Sequence, residues 1–382
     1  MVREPSKNTS FPSNTVPQTP GLSIWEKLGW IQEPDAVIIG TGIVGMNTAL
    51  ELRKLHPDWH IVMLDRSAFG GASTRNAGFA CFGSPSELAE DLESLGPDAL
   101  VKLVDMRWSG LSALRTRWRE HDLGYTPCGA IEAFTDPALF ERIRGLLSEL
   151  NALLEPVFGA SAFQLMSDSE VEQRGLQNAC GAISSPLEGA LDTAAMVRAM
   201  RKSLSKEGIE VIHGIEATGL DQNHDRWCIR TKAGDIQTQR VFVCNNAWAS
   251  SLLDLDVAPA PNVVVVSQPL PKLKLTSTLH HDRGYVYARA VHGRLLIGGG
   301  RQWECDGNAS RAQKLARWAQ THIQGAERFE IEHHWIGQLG VGSQRLPIVK
   351  EVEPGLYAGV RLGGMGVAIG TNVGSALARL CD

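Results

Sequence analysis

The chain of 382 residues is 43% hydrophobic and 21% charged, a balance that allows two globular domains with sizeable cores. Its formal net charge of −5, without a basic run, argues against binding to nucleic acid or to a membrane surface. No apolar stretch is long enough to span a bilayer, and no signal peptide is visible. The seven scattered cysteines form no CxxC pair, which argues against disulfides and zinc and favours the cytoplasm.

The first elements in chain order predict a Rossmann-type βαβ unit. Residues 1–34 are expected to be a polar tail and a docking segment, with one helical turn at 23–28 packed on the body. A buried strand is predicted at 36–39, followed by an amphipathic helix that ends near His56 and by a second strand at 61–64.

A GxGxxG motif, Gly40 to Gly45, lies between the first strand and the helix. In such a motif the first glycine allows a tight turn, the second lets a diphosphate approach the backbone, and the third lets helix and strand pack closely. The helix N-terminus offers free N–H groups and a favourable dipole to the phosphates. Asp65 ends the second strand 20 residues after Gly45, the spacing of a carboxylate that binds ribose hydroxyls. These features predict a dinucleotide site.

The remaining elements alternate between helices and strands. The loop at 69–83 is rich in glycine and small residues, which would permit close backbone contact with a cofactor. Ser84 to Glu87 is expected to form a capping box with proline at the first helical position. Further helices are predicted at 87–95, 98–121, 137–154, 192–206, 310–322 and after 366, with strands at 130–134, 209–212, 241–244, 263–266, 285–290 and 295–297 and a hairpin at 227–240.

Four later motifs accompany the GxGxxG unit. They are Gly71-Ala72-Ser73-Thr74-Arg75-Asn76-Ala77-Gly78, Asn245-Asn246-Ala247-Trp248, Arg345-Leu346-Pro347 and Gly364-Met365-Gly366-Val367-Ala368. In this order the set resembles the D-amino-acid-oxidase-like (DAO) family of FAD enzymes over 35–380, and its γ-glutamylputrescine oxidase and glycine oxidase branch in particular. The resemblance implies an α/β fold in which a Rossmann-type FAD-binding domain (35–95, 180–255 and 335–382) is interleaved with a mixed-sheet α+β substrate domain (96–179 and 256–334).

The resemblance also implies which residues hold FAD. Relatives that attach the flavin covalently through histidine carry it near Asn76, so noncovalent FAD is expected. The residues expected to bind FAD are Gly40, Thr41, Gly42, Ile43, Val44, Gly45, Asp65, Arg66, Ser73, Thr74, Arg75, Asn76, Gly78, Ala217, Asn246, Ala247, Gly364, Met365, Gly366 and Val367.

The implied reaction is oxidation of a C–N bond in a small amine or substituted amino acid by an oxidase or dehydrogenase. Hydride would pass to flavin N5, the imine would hydrolyse, and oxygen is one candidate electron acceptor. The family's GxRP arginine, which clamps the carboxylate of an α-amino acid, is absent from Trp335–Gly340, and this favours an amine. The expected catalytic residues are Tyr287, Arg289 and Arg345, the first two because alternation places them on one strand face.

Several alternatives remain open from the sequence. The βαβ unit also suits a nicotinamide-dependent dehydrogenase, and a flavoprotein that senses or scaffolds without turnover is a further possibility. Arg301 would hold an anionic substrate group or simply be solvated, and Cys81 is expected to be a buried inert thiol. The histidine doublets at 280–281 and 333–334 are interpreted as surface residues, and no metal site is expected.

Overall fold

The structure is a computed structural model that describes residues 22–382. Its helices are α1 (Ile24–Trp30), α2 (Ile43–Leu55), α3 (Ala72–Arg75), α4 (Pro85–Leu95), α5 (Pro97–Arg117), α6 (Pro137–Phe158), α7 (Asp168–Gln173), α8 (Thr193–Lys206), α9 (Gly307–His322) and α10 (Gly366–Ala378). Its strands are β1 (Ala36–Ile39), β2 (Ile61–Asp65), β3 (Phe79–Ala80), β4 (Ala130–Phe134), β5 (Gln164–Leu165), β6 (Gly181–Ser185), β7 (Gly189–Ala190), β8 (Glu210–His213), β9 (Ala217–Asn223), β10 (Arg226–Thr231), β11 (Ile236–Thr238), β12 (Arg240–Val243), β13 (Ala258–Ser267), β14 (Thr278–His281), β15 (Val286–Val291), β16 (Arg294–Gly299), β17 (Ile331–Val341), β18 (Ile348–Glu353) and β19 (Leu356–Val360).

A six-stranded sheet forms the Rossmann-type half of the molecule, in the order β18-β19-β12-β1-β2-β8. All neighbours pair in parallel except β18, which is an antiparallel edge strand. The four residues of β1 are fully buried because both faces of the sheet are covered. Ile38 packs with Met46 of α2 on one face, and Val37 packs with Trp227 of the β9–β11 sheet on the other. The Rossmann-type unit predicted from the sequence is confirmed.

An eight-stranded sheet forms the other half, in the order β17-β13-β16-β15-β14-β4-β6-β5. It is mixed, since β14 pairs with β4 in parallel and the other neighbours are antiparallel. Helix α9 covers one face through Leu315 and Ala319. The expected boundaries at 180 and 335 lie next to β6 and within β17, two strands of this sheet, and the domain boundaries stay a prediction.

The capping box predicted at the start of α4 is wrong. Helix α4 begins at Pro85 as expected, but the capping box is absent because Ser84 Oγ donates to Glu132 Oε1 at 3.2 Å, across 48 residues of chain. Glu87 instead accepts from Arg107 at 3.2 Å.

Helix α1 exists and begins at a capping box between Ser23 and Glu26. Trp25 is 80% exposed, however, so the expected packing of this segment on the body is wrong. The rest of the predicted tail, residues 1–21, lies outside the described residues. Within the described part of the chain, no helix combines the length and the apolar character needed to cross a membrane.

Candidate functional site

The GxGxxG turn has the geometry that its glycines predict. Gly40 has φ +109°, and a Cβ there would lie 2.7 Å from the carbonyl oxygen of Cys244. A Cβ on Gly45 would lie 2.0 Å from the carbonyl oxygen of Gly40. Neither position has room for a side chain, so β1, β12 and the start of α2 approach as closely as the motif requires.

The loop that carries the second motif caps the same helix. Gly42 is the N-cap of α2, and the backbone N–H of Ile43 donates to Ser73 Oγ at 2.9 Å. Asn76 Nδ2 donates to the carbonyl oxygen of Ser73 at 2.9 Å, and Asn76 Oδ1 accepts from the N–H of Gly78 at 2.9 Å. The serine and the asparagine of this motif therefore fix the loop beside the GxGxxG turn, although they lie about 30 residues beyond it.

Asp65 occupies the expected place at the end of β2. Its Oδ2 accepts from the backbone N–H of Thr41 at 2.9 Å and from Thr41 Oγ1 at 2.8 Å, while Oδ1 accepts from the N–H of Ser67. The next residue, Arg66, places its guanidinium carbon 4.3 Å from the ring centroid of Trp248. Strand end, loop and aromatic ring together form one rim of a cavity.

This cavity has a volume of about 370 Å³, in the range of pockets that hold small molecules. We call it the dinucleotide cavity, because its wall contains most of the residues predicted to bind FAD. Those residues are Gly40, Gly42, Ile43, Val44, Asp65, Arg66, Ser73, Arg75, Asn76, Ala217, Asn246, Ala247, Gly364, Gly366 and Val367.

The other predicted cofactor residues lie elsewhere. Met365 lines the neighbouring cavity. Thr41, Gly45, Thr74 and Gly78 line neither cavity and support the wall from behind, for instance through the bond from Thr41 to Asp65. For all of these residues, contact with the cofactor stays a prediction.

A second cavity of about 420 Å³, which we call the substrate cavity, adjoins the first. The two share part of their walls, at Ala72, Arg75, Asn76, Gln338, Leu339, Leu362, Gly363, Gly364 and Val367. We call this shared wall the junction. Sequence reasoning missed Gln338, whose buried Oε1 has no hydrogen-bond partner among the described residues. The one feature of the sequence that could have indicated Gln338 is its position, a polar residue in the stretch where the family usually carries arginine.

The eight-stranded sheet supplies the floor of the substrate cavity. Tyr287 lies there as predicted, and its hydroxyl accepts from Asn262 Nδ2 at 3.1 Å. The ring fits over Gly298, where a Cβ would lie 2.6 Å from the hydroxyl oxygen, and packs edge-on against Phe79. Burial raises the pKa of Tyr287, and the charge of Arg301 only partly offsets this, so the hydroxyl stays protonated.

Arg289 does not line the substrate cavity, in contrast to the prediction. Its Nη1 donates to the carbonyl oxygens of Gly78 at 2.7 Å, Leu191 at 2.8 Å and Ala77 at 3.3 Å. Alternation does put Arg289 on the face of β15 that holds Tyr287, but the longer side chain continues past the floor to the glycine-rich loop. We therefore treat it as a residue that positions the loop.

Arg345 does line the substrate cavity, but it is surrounded by carboxylates. Its Nη1 lies 2.6 Å from Asp91 Oδ1 and 3.8 Å from Glu87, and its Nη2 lies 3.7 Å from Glu90. Burial and the charge of Glu87 raise the pKa of Asp91 to about 6, although the nearby arginines act in the opposite direction. The charge of Arg345 is thus largely compensated before a substrate arrives.

His280 corrects another expectation, because it is buried rather than exposed. It pairs with Tyr287 across β14 and β15 and lines the same cavity. Its Nε2 lies 3.3 Å from Oε2 of the buried Glu188, whose Oε1 accepts from the N–H of Phe82 at 2.9 Å. Burial lowers the pKa of His280, but Glu188 and Glu132 more than offset this, so the pKa is raised.

Cys81 completes this cluster. Its sulfur, a carboxylate oxygen of Glu188 and a ring nitrogen of His280 lie within 4.8 Å of one another. The thiol is buried as expected, and burial together with Glu188 raises its pKa well above its usual value, which makes it a poor nucleophile. The His280–Glu188 ion pair gives these groups partners without a metal ion, and the absence of a metal site stays a prediction.

Comparison with known proteins decides the family. The model of the family "DAO: FAD dependent oxidoreductase" matches residues 35–380. The chain belongs to the DAO family of FAD-dependent oxidoreductases. This membership decides for FAD and against the nicotinamide alternative, and it confirms the resemblance that the motifs indicated.

Relatives and solved structures agree. The chain is 24% identical over 327 residues to the bifunctional protein ThiO/ThiG of Synechocystis sp., covering 79% of the chain but only 44% of that protein. It is 23% identical to the probable oxidoreductase OrdL of Rhizobium meliloti, covering 98% of the chain and 88% of that protein. Glycine oxidase from Geobacillus kaustophilus shares the fold with a TM-score of 0.75 and 21% identity, over 91% of this chain and 94% of that chain.

The residues present fit the cofactor of the family. Gly42, the N-cap of α2, has no side chain over the backbone, and the first helical turn there has N–H groups without intrahelical partners. Asp65 stands beside that turn, and the small residues of the glycine-rich loop line both cavities. An extended dinucleotide with an attached ring system matches two connected cavities of this kind.

Proposed function

We propose that this protein is an enzyme that uses noncovalently bound FAD to oxidise a C–N bond of a small amine or amino-acid-like molecule. The adenosine and diphosphate of FAD would lie in the dinucleotide cavity, and the flavin ring would reach the junction. The substrate would lie in the substrate cavity, over the sheet that carries Tyr287. The observation that carries the proposal is the continuity of the two cavities through the wall at Asn76, Gln338 and Gly364.

The chemistry divides between cofactor and protein. Bound FAD supplies the two-electron acceptor, while the protein binds and orients the substrate and excludes water. An amine can donate its electrons only when its nitrogen is unprotonated. Free alkylamines have a pKa of about 10, so roughly one molecule in a thousand is competent at neutral pH. Removal of the amine from water in the substrate cavity would lower that pKa and raise the competent fraction.

The names of similar proteins support the substrate class. Glycine oxidase from Geobacillus kaustophilus and iminodiacetate oxidase from Chelativorans sp. both share this fold, and both names refer to oxidation of an amino acid or a related amine. An oxidase name also makes oxygen a reasonable electron acceptor for this chain. The seven free cysteines support a reducing compartment such as the cytoplasm.

Product analysis tests this function. Purified holoprotein is incubated in air with a panel of primary amines, secondary amines, α-amino acids and 2-hydroxy acids. We expect a carbonyl product in equal amount to the amine or ammonia released, with oxygen consumed. If only 2-hydroxy acids were turned over, the reaction would be oxidation of a C–O bond, and the proposed oxidation of a C–N bond would be wrong. A flavoprotein that turns over no member of the panel and is reduced by none would favour the non-catalytic alternative.

A further inference from the structure

Two glycines at the end of β16 determine where Arg301 lies. Gly299 has φ +104° and Gly300 has φ +69°, and a Cβ on Gly299 would lie 1.9 Å from the carbonyl oxygen of Tyr285. The N–H of Gly300 donates to that same oxygen at 2.8 Å, and Arg311 Nε donates to the carbonyl oxygen of Gly300 at 2.9 Å. The turn is therefore fixed from both sides, and it brings Arg301 to the substrate cavity.

Arg301 differs from the other arginines of the cavity wall in its partners. Four of them are paired with carboxylates, namely Arg107, Arg283, Arg345 and Arg361. Arg75 is exposed and lies at the junction. Arg301 is half-buried, and within residues 22–382 its guanidinium has neither an ion pair nor a hydrogen bond. A cation in such a cavity attracts an anion more strongly than one in water, because the surroundings screen it less.

An aromatic side chain lies beside this cation. The guanidinium carbon of Arg301 lies 5.7 Å from the ring centroid of Tyr285. The same positive charge acts on the hydroxyl of Tyr287, whose pKa it lowers in part against the effect of burial. An unpaired guanidinium beside one phenol ring, in a cavity that also contains the Tyr287 hydroxyl, suits a planar carboxylate.

The position of Arg301 in the cavity indicates which end of the substrate faces the junction. Arg301 and Tyr285 line the substrate cavity alone, whereas Gln338 and Asn76 line the junction. At the junction, Gln338 offers a neutral amide oxygen without a partner, which can accept from an amine N–H but cannot pair with a carboxylate. The polar groups of the junction and of the part of the substrate cavity outside it are thus of different kinds.

We propose that Arg301 binds the carboxylate of an amine substrate whose acid group is several bonds from the oxidised C–N bond, an ω-amino acid rather than an α-amino acid. The direction of binding rests on the proposed function, which places the flavin ring at the junction. The amine nitrogen then lies near Gln338 and the carboxylate lies at Tyr285. A chain of several methylene groups bridges the two ends over Tyr287.

Binding of unreactive probes tests the anion site without turnover. The oxidised holoenzyme is titrated with butanoate and with butanamide, and the flavin absorbance is followed. We expect butanoate to bind and butanamide to bind about 10- to 100-fold more weakly, the range for loss of a hydrogen bond to a charged group. Arg301→Met should weaken butanoate binding by a similar factor, and Arg301→Lys should restore part of it. Arg294→Met, at the start of the strand that precedes Arg301 and paired with Glu332 outside the cavity, is the matched control.

Substrate length tests the direction of binding. Anaerobic flavin reduction is compared for glycine, β-alanine, γ-aminobutyrate, δ-aminovalerate and butylamine, in the wild type and in Arg301→Met. We expect the two longest amino acids to reduce the flavin at lower concentration than glycine or butylamine, and Arg301→Met to abolish their advantage over butylamine. A preference for glycine, or butanoate binding that is unchanged in a folded, FAD-loaded Arg301→Met, would overturn the inference. Arg301-dependent binding of butanoate without reduction by any amine would overturn the proposed function and leave the anion site standing.

Discussion

Arg289 Nη1 donates to the carbonyl oxygen of Gly78 at 2.7 Å, so that a side chain from the substrate sheet holds the glycine-rich loop of the FAD half. A Cβ on Gly78 would lie 2.6 Å from this Nη1 and 2.3 Å from the carbonyl oxygen of Leu191. The glycine and the arginine therefore depend on each other. Burial lowers the pKa of Arg289, but an arginine stays protonated at any ordinary pH. These hydrogen bonds therefore do not depend on pH.

The first prediction concerns this contact. Arg289→Met should lower the free energy of unfolding by roughly 3 kcal/mol, since hydrogen bonds from a charged donor to buried carbonyls are lost. It should also weaken FAD retention, because the loop that carries Ser73 and Asn76 loses its support. Chemical denaturation and the FAD content after gel filtration measure both effects. Arg294→Met is the control, and equal stability of the two variants would contradict the positioning role.

The second prediction concerns the GxGxxG turn. A Cβ on Gly42 would lie 3.0 Å from Ser73 Oγ, at the open backbone where the diphosphate would bind. Gly42→Val should therefore abolish FAD retention and leave the far-ultraviolet circular dichroism close to that of the wild type. Gly145→Val is the control, because a Cβ at Gly145 meets nothing within 4 Å. Full FAD occupancy in Gly42→Val would show that the cofactor lies elsewhere.

The third prediction concerns Asp91. Folding raises its pKa from 3.8 to about 6, chiefly through burial. Between these values the unfolded chain binds fewer protons than the folded protein, so this group makes stability fall as the pH rises, by up to about 3 kcal/mol. The stability of the wild type relative to Asp91→Asn should accordingly decrease from about pH 4 to about pH 6 and stay constant above that. A difference that does not change with pH between the wild type and Asp91→Asn would contradict the raised pKa.

Local chemistry made the βαβ unit predictable from sequence. Gly45 and Asp65 act through neighbours within one strand–helix–strand unit, so their spacing alone contained the geometry. Asp192 likewise acts locally, since it caps α8 by accepting from the N–H groups of Ala194 and Ala195.

The wall of the substrate cavity was less predictable, because distant strands build it. His280 is buried since β14 lies inside the eight-stranded sheet between β15 and β4, a pairing that no local pattern contains. The sequence predicted Ser84 as a helix cap, but its hydroxyl bonds to Glu132, a residue that is distant in the chain. Arg289 shared the predicted strand face with Tyr287, but only the loop around Gly78 determined where its guanidinium binds.

The fourth prediction is a pH dependence of flavin reduction. At limiting amine concentration the rate should rise with pH and level off above the pKa of the free amine, because an ammonium group cannot donate its electrons. Arg289→Lys should leave this inflection unchanged, since its side chain is directed at backbone carbonyls and not at the cavity. Stopped-flow reduction under anaerobic conditions measures the profile. A rate that does not change with pH for a slowly oxidised amine would contradict the requirement for a neutral amine.

Anaerobic mixing of the purified yellow holoprotein with single amines tests the proposed C–N oxidation most directly. We expect at least one small amine or amino-acid-like compound to bleach the flavin fully, and we expect acid precipitation of the same sample to release free FAD into the supernatant. Dithionite serves as the positive control for reduction. Bleaching by dithionite but by no amine or amino acid, with 2-hydroxy acids or reduced nicotinamide acting instead, would contradict the proposed function.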